Sequence, residues 1–191
     1  MVKLDHPVEK LIQTITFKGV EFDVVERPDV LWIGCVNYAN NNTNESDINT
    51  TLNRYRDELI EIVKQDLINP DWSASLSINY GYNDKPKGVM FAQETYSDKQ
   101  DKRYDLFKQS GGLWLRVLHD KSIEALLGRE SDEQRNYFGS RDLFALLRNV
   151  ANENGYRPNP DVHVEVEYSC HTEYNTSPSR NYAYIPIIKL V

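Results

Sequence analysis

The chain has 191 residues, of which 40% are apolar and 27% charged, a composition typical of one globular domain of ordinary size. Its net charge of −7 argues against direct binding of nucleic acid, which usually depends on basic side chains that contact phosphates. The sequence has neither a long apolar run nor a secretory signal pattern, so we expect a cytoplasmic protein that does not span a membrane.

The first half of the chain is predicted to begin with a strand over about residues 16–25, in which Gly19 marks a bulge or bend. An apolar strand over residues 30–37 follows, and an amphipathic helix is predicted over about residues 48–67. Two further strands are predicted at 74–80 and 89–96, and the charged stretch over residues 97–105 indicates a linker or an exposed loop.

The second half repeats this order, with strands at 112–118, 162–168 and 182–189 and helices at 123–127 and 141–154. We therefore predict a single α+β domain over residues 1–191, built of two β-α-β-β units at about 16–96 and 112–190. If the two antiparallel sheets join edge to edge, both helices lie on one side and a ligand cleft forms between the halves on the other.

The most informative stretch for function is VHVEVEY, residues 162–168. Because side chains alternate along a strand, His163, Glu165 and Glu167 share one face and the apolar residues share the other. The polar face either contacts water or forms the floor of an aromatic groove, where a carboxylate would attract a lipophilic cation. The candidate rings of such a groove lie in predicted strands: Trp32, Tyr80, Phe91, Trp114 and Tyr184.

Four stretches in order resemble one family, the GyrI-like effector-binding domains, which also form the ligand-sensing part of many AraC-type and MerR-type regulators. ITFKGVEFDVVERPDVLWIG, residues 15–34, is similar to the segment that leads into the family's first strand. SGGLWLRVLHD, residues 110–120, resembles the strand that opens its second half. NGYRPNPDVHVEVEY, residues 154–168, is similar to the segment with the family's buried acid, and YAYIPIIK, residues 182–189, resembles its closing strand.

The resemblance implies a duplicated fold that binds amphipathic or cationic small molecules, with a glutamate of the second repeat facing the cleft. Alternation of acidic and apolar positions favours Glu165 for this role, the literal Glu-Tyr pair favours Glu167, and the spacing from Pro160 favours His163. We rank them in that order. Only about 15 residues precede the resemblance, so a stand-alone sensor is expected.

The preferred function is the binding or sensing of a small hydrophobic or cationic molecule, linked to transcription regulation or multidrug response. We expect no direct contact with nucleic acid or membrane, and a protein partner is open. One alternative is a hydrolase of small reactive compounds that uses a cleft glutamate as acid or base. Another is an interaction protein similar to the gyrase inhibitors. Cys35 and Cys170 lack zinc-site spacing and are expected to be free buried thiols, so no metal or cofactor is predicted.

Overall fold

The computed structural model describes residues 8–39, 50–51, 53–54, 67–68, 72–79, 85–99, 104–129, 141–170 and 181–190. These residues form ten strands: β1 (Lys10–Phe17), β2 (Val20–Arg27), β3 (Val30–Ala39), β4 (Trp72–Ile78), β5 (Lys87–Thr95), β6 (Asp105–Gln109), β7 (Gly112–His119), β8 (Tyr156–Pro158), β9 (Val164–Cys170) and β10 (Asn181–Lys189). The helices with described bounds are α1 (Lys121–Leu126) and α2 (Arg141–Glu153).

All described strands belong to one antiparallel sheet, in the order β1-β2-β7-β10-β9-β4-β5-β3-β6, and β8 pairs with β10 beside this path. Strands β4 and β9 pair at the centre, where Ala74 lies opposite Tyr168. Outward from this junction, one side runs β4-β5-β3 and the other β9-β10-β7. In each half, therefore, the first of the three strands along the chain is outermost, the second is central and the third lies between them. The predicted α+β fold with an edge-to-edge antiparallel sheet is confirmed.

The two faces of the sheet have different cores. On the helix face, α2 packs Leu143, Leu147 and Val150 against strand residues such as Leu115 and Ile185. Helical spacing places these apolar residues on one side of α2. The opposite face, which we call the aromatic face, buries Trp32, Trp114, Tyr168, Tyr182 and Tyr184 together with small aliphatic residues.

One strand prediction is wrong, and one strand was not predicted. The single strand expected at 16–25 is a hairpin of β1 and β2, because Lys18 and Gly19 have φ angles of 48° and 83°. Positive φ at two successive residues is the geometry of a tight hairpin turn, not of a bulge. The charged stretch at 97–105, expected to be a linker or an exposed loop, is followed by a strand that was not predicted: β6 begins at Asp105 and pairs with the outer edge of β3.

Other expectations have simple outcomes. Cys35 is a buried free thiol, as predicted. Most of the predicted helix at 48–67 lies outside the described residues, although residues 50, 51, 53 and 54 are helical. Within the described part of the chain, no helix is long and apolar enough to cross a bilayer.

Candidate functional site

Aromatic rings fill the centre of the aromatic face. The Tyr168 ring stacks on Trp72 at a centroid distance of 5.3 Å and lies edge-on to Trp32 and Tyr184 at 6.0 and 6.4 Å. Tyr182 adds a fifth ring, 6.0 Å from Trp72. These separations lie in the range of favourable aromatic pairs. The face is therefore a packed cluster of rings around the β4–β9 junction.

A guanidinium group lies among these rings. The Cζ atom of Arg27 is 5.1 Å from the ring centroid of Tyr184, 5.7 Å from Trp114 and 6.0 Å from Trp32. A cation within about 6 Å of an aromatic centroid is attracted by the quadrupole of the ring, most strongly where water is excluded. Arg27 therefore makes cation–π contacts with three rings at once.

Two carboxylates complete the surroundings of this cation. Arg27 donates from Nη2 to Oε1 of Glu94, and its Nε lies 3.1 Å from Oε1 of Glu9. The side chains of Arg27, Glu94 and Glu9 are 1%, 0% and 3% exposed, so the group is almost fully removed from water. We call Arg27, the three rings that surround it and these two carboxylates the arginine cage.

The cage belongs to a larger buried ion cluster. Tyr168 donates from its hydroxyl to Oε2 of Glu94 at 3.0 Å. Oε2 of Glu9 lies 2.5 Å from Nη1 of Arg116, whose Nη2 lies 3.3 Å from Asp23. Buried charges of this kind are tolerated only when each finds partners, since the desolvation of an isolated charge is costly. Every member of the cluster therefore depends on the others.

The titration of these groups reflects their burial. Burial by itself lowers the pKa of Arg27, but the charges of Glu94 and Glu9 outweigh it, so the pKa is raised and the guanidinium stays charged. Burial, followed by the charge of Glu94, raises the pKa of Tyr168 well above its ordinary value. Burial and the charge of Glu9 do the same for Tyr184. Both phenols remain protonated donors at neutral pH.

The backbone around Arg27 explains how the cation is held in place. Because Pro28 follows it, Arg27 is restricted to extended backbone geometry, which suits the last position of β2. The next residue, Asp29, accepts from the backbone N–H of Gly111 at 2.8 Å. A Cβ atom at Gly111 would lie 2.7 Å from the carbonyl oxygen of Arg27, so only glycine permits this close approach.

A cavity of about 250 Å³ opens at the start of β2, beside the N-terminus of α1, and is lined by residues of both sheet faces. Its apolar wall includes Val20, Leu118 and the ring of Tyr182, and its polar wall includes Asp23, Arg116 and Asp120. Arg116 belongs both to this cavity and to the ion cluster, which connects the opening to the cage. The cavity therefore reaches the ion cluster through Arg116 and Asp23, whereas Arg27 and the three rings around it do not line it.

The three residues ranked as candidates for the ligand-binding acid, Glu165, Glu167 and His163, lie on the other side of the sheet. Glu165 accepts from Arg148 of α2, which places its carboxylate on the helix face. Burial raises its pKa, and the charge of Arg148 partly offsets this. Glu167 and His163 alternate with the buried Val164 and Val166 and are partly exposed. The expectation that these side chains and the rings share one groove is therefore wrong, because strand alternation sends them to opposite faces.

The candidate rings divide between the faces. Trp32, Trp114 and Tyr184 meet around Arg27, as a shared aromatic site requires. Phe91 packs beside Ile33 and Cys35 on the helix side, and Tyr80 lies outside the described residues. Whether any predicted residue binds a ligand remains a prediction. Among the described side chains, no three His, Cys, Asp or Glu residues come together as a metal site would require.

The residues that sequence reasoning missed leave a detectable signal. In β5, Glu94 lies on the same face as Met90 and Ala92, so an acid continues a row of buried apolar side chains. In the same way, Arg116 shares a face with Trp114 in β7, and Arg27 shares a face with Val25 in β2. A charge on an otherwise apolar face indicates either a strand end or a buried ion pair. Three such charges of both signs, on three different strands, favour the ion pair.

Solved structures share this fold. SAV2435 bound to tetraphenylphosphonium superposes with a TM-score of 0.62 at 9% identity, covering 87% of this chain and 93% of that one. The C-terminal domain of EcmrR gives a TM-score of 0.59 at 14% identity, covering 90% of this chain and 99% of the domain. EcmrR in a DNA complex gives 0.55 at 11% identity, and there the match spans 57% of the EcmrR chain.

Neither the protein-family models nor the curated proteins give a match to this chain. Identities of 9–14% establish a shared fold and nothing about shared chemistry. The resemblance to the GyrI-like effector-binding domains, first suggested by four short stretches of sequence, is therefore confirmed at the level of the fold.

Proposed function

We propose that this protein binds small lipophilic cations on its aromatic face and acts as a cytoplasmic ligand sensor linked to transcription regulation or multidrug response. The observation that carries the proposal is the arginine cage: a buried cation between three aromatic rings and two carboxylates. These are the groups that recognise an organic cation, since charge gives attraction at low dielectric and rings give contact area.

The solved structures add support of a different kind. SAV2435 was solved with tetraphenylphosphonium, a lipophilic cation, and EcmrR was solved in a complex with DNA. By analogy with these folds, ligand binding here is linked to gene control. Because the net charge of this chain is −7, we propose that the link runs through a partner protein and not through direct contact with DNA.

The ligand would enter through the cavity beside Tyr182 and Arg116. A volume of about 250 Å³ lies just below the range of roughly 300–1,000 Å³ that is usual for pockets of drug-sized ligands. A bulky cation therefore needs additional room, and the ion cluster that borders the cavity is where the room can be made.

The test is a titration of the full chain with tetraphenylphosphonium, in which binding is measured by calorimetry and by tryptophan fluorescence. We expect saturable binding of one equivalent and a fluorescence change from the tryptophans of the aromatic face. Glu94→Gln is expected to weaken binding by about tenfold or more, since it removes a buried negative charge. Tyr182→Leu removes a ring from the cavity wall and its contact with Arg116 but no charge, and is expected to weaken binding less.

Glu165→Gln is the matched control, because it neutralises a glutamate that is paired with an arginine on the helix face. The titration also tests the original ranking of the acidic residues. If Glu165→Gln, but not Glu94→Gln, abolishes binding, the ranked glutamate is the ligand residue and the arginine cage is not. Absence of saturable binding to the unmodified chain at millimolar concentrations would contradict the proposed function.

A further inference from the structure

The chemistry of the arginine cage is narrower than attraction to any cation. The guanidinium of Arg27 is planar, and its two contacts with carboxylates use two different nitrogens: Nη2 donates to Glu94 and Nε faces Glu9. Nε and the third nitrogen, Nη1, are both buried without a hydrogen-bond partner among the described residues, but Nε has a carboxylate oxygen at ion-pair distance and Nη1 has none there. The cage therefore engages a pair of nitrogens on one carbon and leaves the third edge unengaged.

We propose that Arg27 is an internal occupant of the ligand site, and that the site binds guanidinium or amidinium compounds with an apolar body by exchanging them for Arg27. This inference rests on the proposed function and specifies its ligand class. An amidinium carries two nitrogens and one carbon substituent on its central carbon. With its nitrogens at the Nε and Nη2 positions, it keeps both carboxylate contacts and directs its substituent towards the Nη1 edge.

Exchange of one delocalised cation for another avoids the main cost of opening this site. If Arg27 left alone, Glu94 would remain as a fully buried carboxylate that has lost its cation, and such a charge is strongly destabilising. An incoming guanidinium or amidinium replaces both the charge and the planar donor geometry, which a compact ammonium does not reproduce. The three rings would contact the new cation as they contact Arg27.

The position of Arg27 makes the exchange mechanically simple. Arg27 is the last residue of β2, immediately before the Pro28-Asp29 turn, and not in the middle of a central strand. Its side chain can leave the cage by rotation about its own bonds while the Asp29–Gly111 hydrogen bond keeps the backbone in place. Glu9 contacts both Arg27 and Arg116, so release of the Arg27 side chain would free space beside the ion cluster that borders the cavity.

The first experiment is rescue of an emptied cage. The full chain with Arg27→Ala is heated with and without about 20 mM methylguanidinium chloride. A concentration of about 20 mM is sufficient for a site whose dissociation constant is about millimolar. We expect methylguanidinium to raise the Tm of this variant by about 3 °C or more, with no such rise in the unmodified chain. Methylurea, which has the same shape without the charge, and matched sodium chloride are expected to have no effect.

Arg148→Ala serves as the matched variant, because it removes the arginine of the glutamate–arginine pair on the other face. Equal shifts for Arg27→Ala and Arg148→Ala, or none for Arg27→Ala, would overturn the proposal. If Arg27→Ala does not fold alone, refolding with methylguanidinium, but not with methylurea, is expected to restore its near-UV circular dichroism. Failure of both additives to restore the signal would also contradict the proposal.

A second experiment tests exchange directly, with benzamidine as the probe. Arg27→Lys keeps the charge but loses the planar pair of nitrogens, so it is a weaker occupant, and benzamidine is expected to bind this variant about tenfold more tightly than the unmodified chain. Equal or weaker binding to Arg27→Lys would mean that the ligand does not replace Arg27. Binding of tetraphenylphosphonium that depends on Glu94, together with failed rescue, would reject the exchange and leave the proposed function standing.

Discussion

Two glutamate–arginine pairs, one on each face of the sheet, occupy very different surroundings. The Glu94–Arg27 pair on the aromatic face has side chains that are 0% and 1% exposed, and three rings surround the arginine. The Glu165–Arg148 pair on the helix face has side chains that are 13% and 36% exposed and joins β9 to α2. Both pairs hold opposite charges in direct contact, but only the first is sealed from water.

This difference in burial determines what happens when one partner of each ion pair is lost. In the partly exposed Glu165–Arg148 pair, water still reaches the arginine when its partner is lost, so the contact contributes less to folding. In the buried pair, neither ion has such a substitute, and loss of one partner leaves an uncompensated charge in the core. A polar pair so costly to maintain is a functional candidate, whereas the exposed pair has an adequate structural explanation.

The largest expected effect comes from breaking the buried pair. Glu94→Gln is expected to lower the free energy of unfolding by about 3 kcal/mol, because Arg27 keeps its charge and loses its best partner. Urea denaturation followed by tryptophan fluorescence measures this value. The double variant Arg27→Met/Glu94→Gln is expected to be more stable than Glu94→Gln alone, since no isolated guanidinium remains. Additive losses in the double variant would show that the two residues do not act as a pair.

An intermediate effect is expected at alkaline pH, where the buried phenols of Tyr168 and Tyr184 resist ionisation. Their pKa values are raised in the folded state, so their stabilising contribution is complete below about pH 10 and falls as the pH rises beyond it. Each contributes a loss of up to about 1.4 kcal/mol per pH unit. Thermal unfolding from pH 8 to 11 measures the slope, and Tyr168→Phe is expected to reduce it. An unchanged slope in that variant would exclude Tyr168 as a source.

The smallest effect is expected for the partly exposed Glu165–Arg148 pair. Glu165→Gln is expected to leave the free energy of unfolding at pH 7 equal or higher by less than about 1 kcal/mol. Burial raises the pKa of Glu165, so its contribution to stability is complete below the ordinary carboxyl pKa and is lost as the pH rises through the raised value. Urea denaturation at pH 4 and pH 7 checks this: the variant should gain on the unmodified chain at the higher pH. A large loss in Glu165→Gln would erase the contrast between the two faces.

Local pattern was sufficient for much of the fold. The apolar spacing of Leu143, Leu147 and Val150 predicted α2, and Gly155, with a φ of 80°, ends that helical segment as expected. The alternation in VHVEVEY correctly separated the buried Val164 and Val166 from the polar side chains. The hairpin at Lys18 was missed because lysine rarely adopts positive φ, so its sequence signal was weak.

The site itself was beyond such reasoning. Alternation divides the side chains of a strand between two faces, but it does not tell which face receives the helices, so Glu165 was assigned to the wrong side. Arg27 and Glu94 are separated by 67 residues and meet because the short Pro28-Asp29 connection joins β2 to β3, in which Trp32 pairs with Glu94 of β5. A single strand gives no indication of that contact.

By itself, the sequence determined the α+β class, most of the strands and the alternation that sorts apolar from polar side chains, because these follow from the periods of single elements. Only the tertiary structure decided which face became the aromatic face and which charges were sealed within it. The physical reason is that burial and ion pairing depend on what lies across the sheet, and strand order brings those neighbours together from distant parts of the chain.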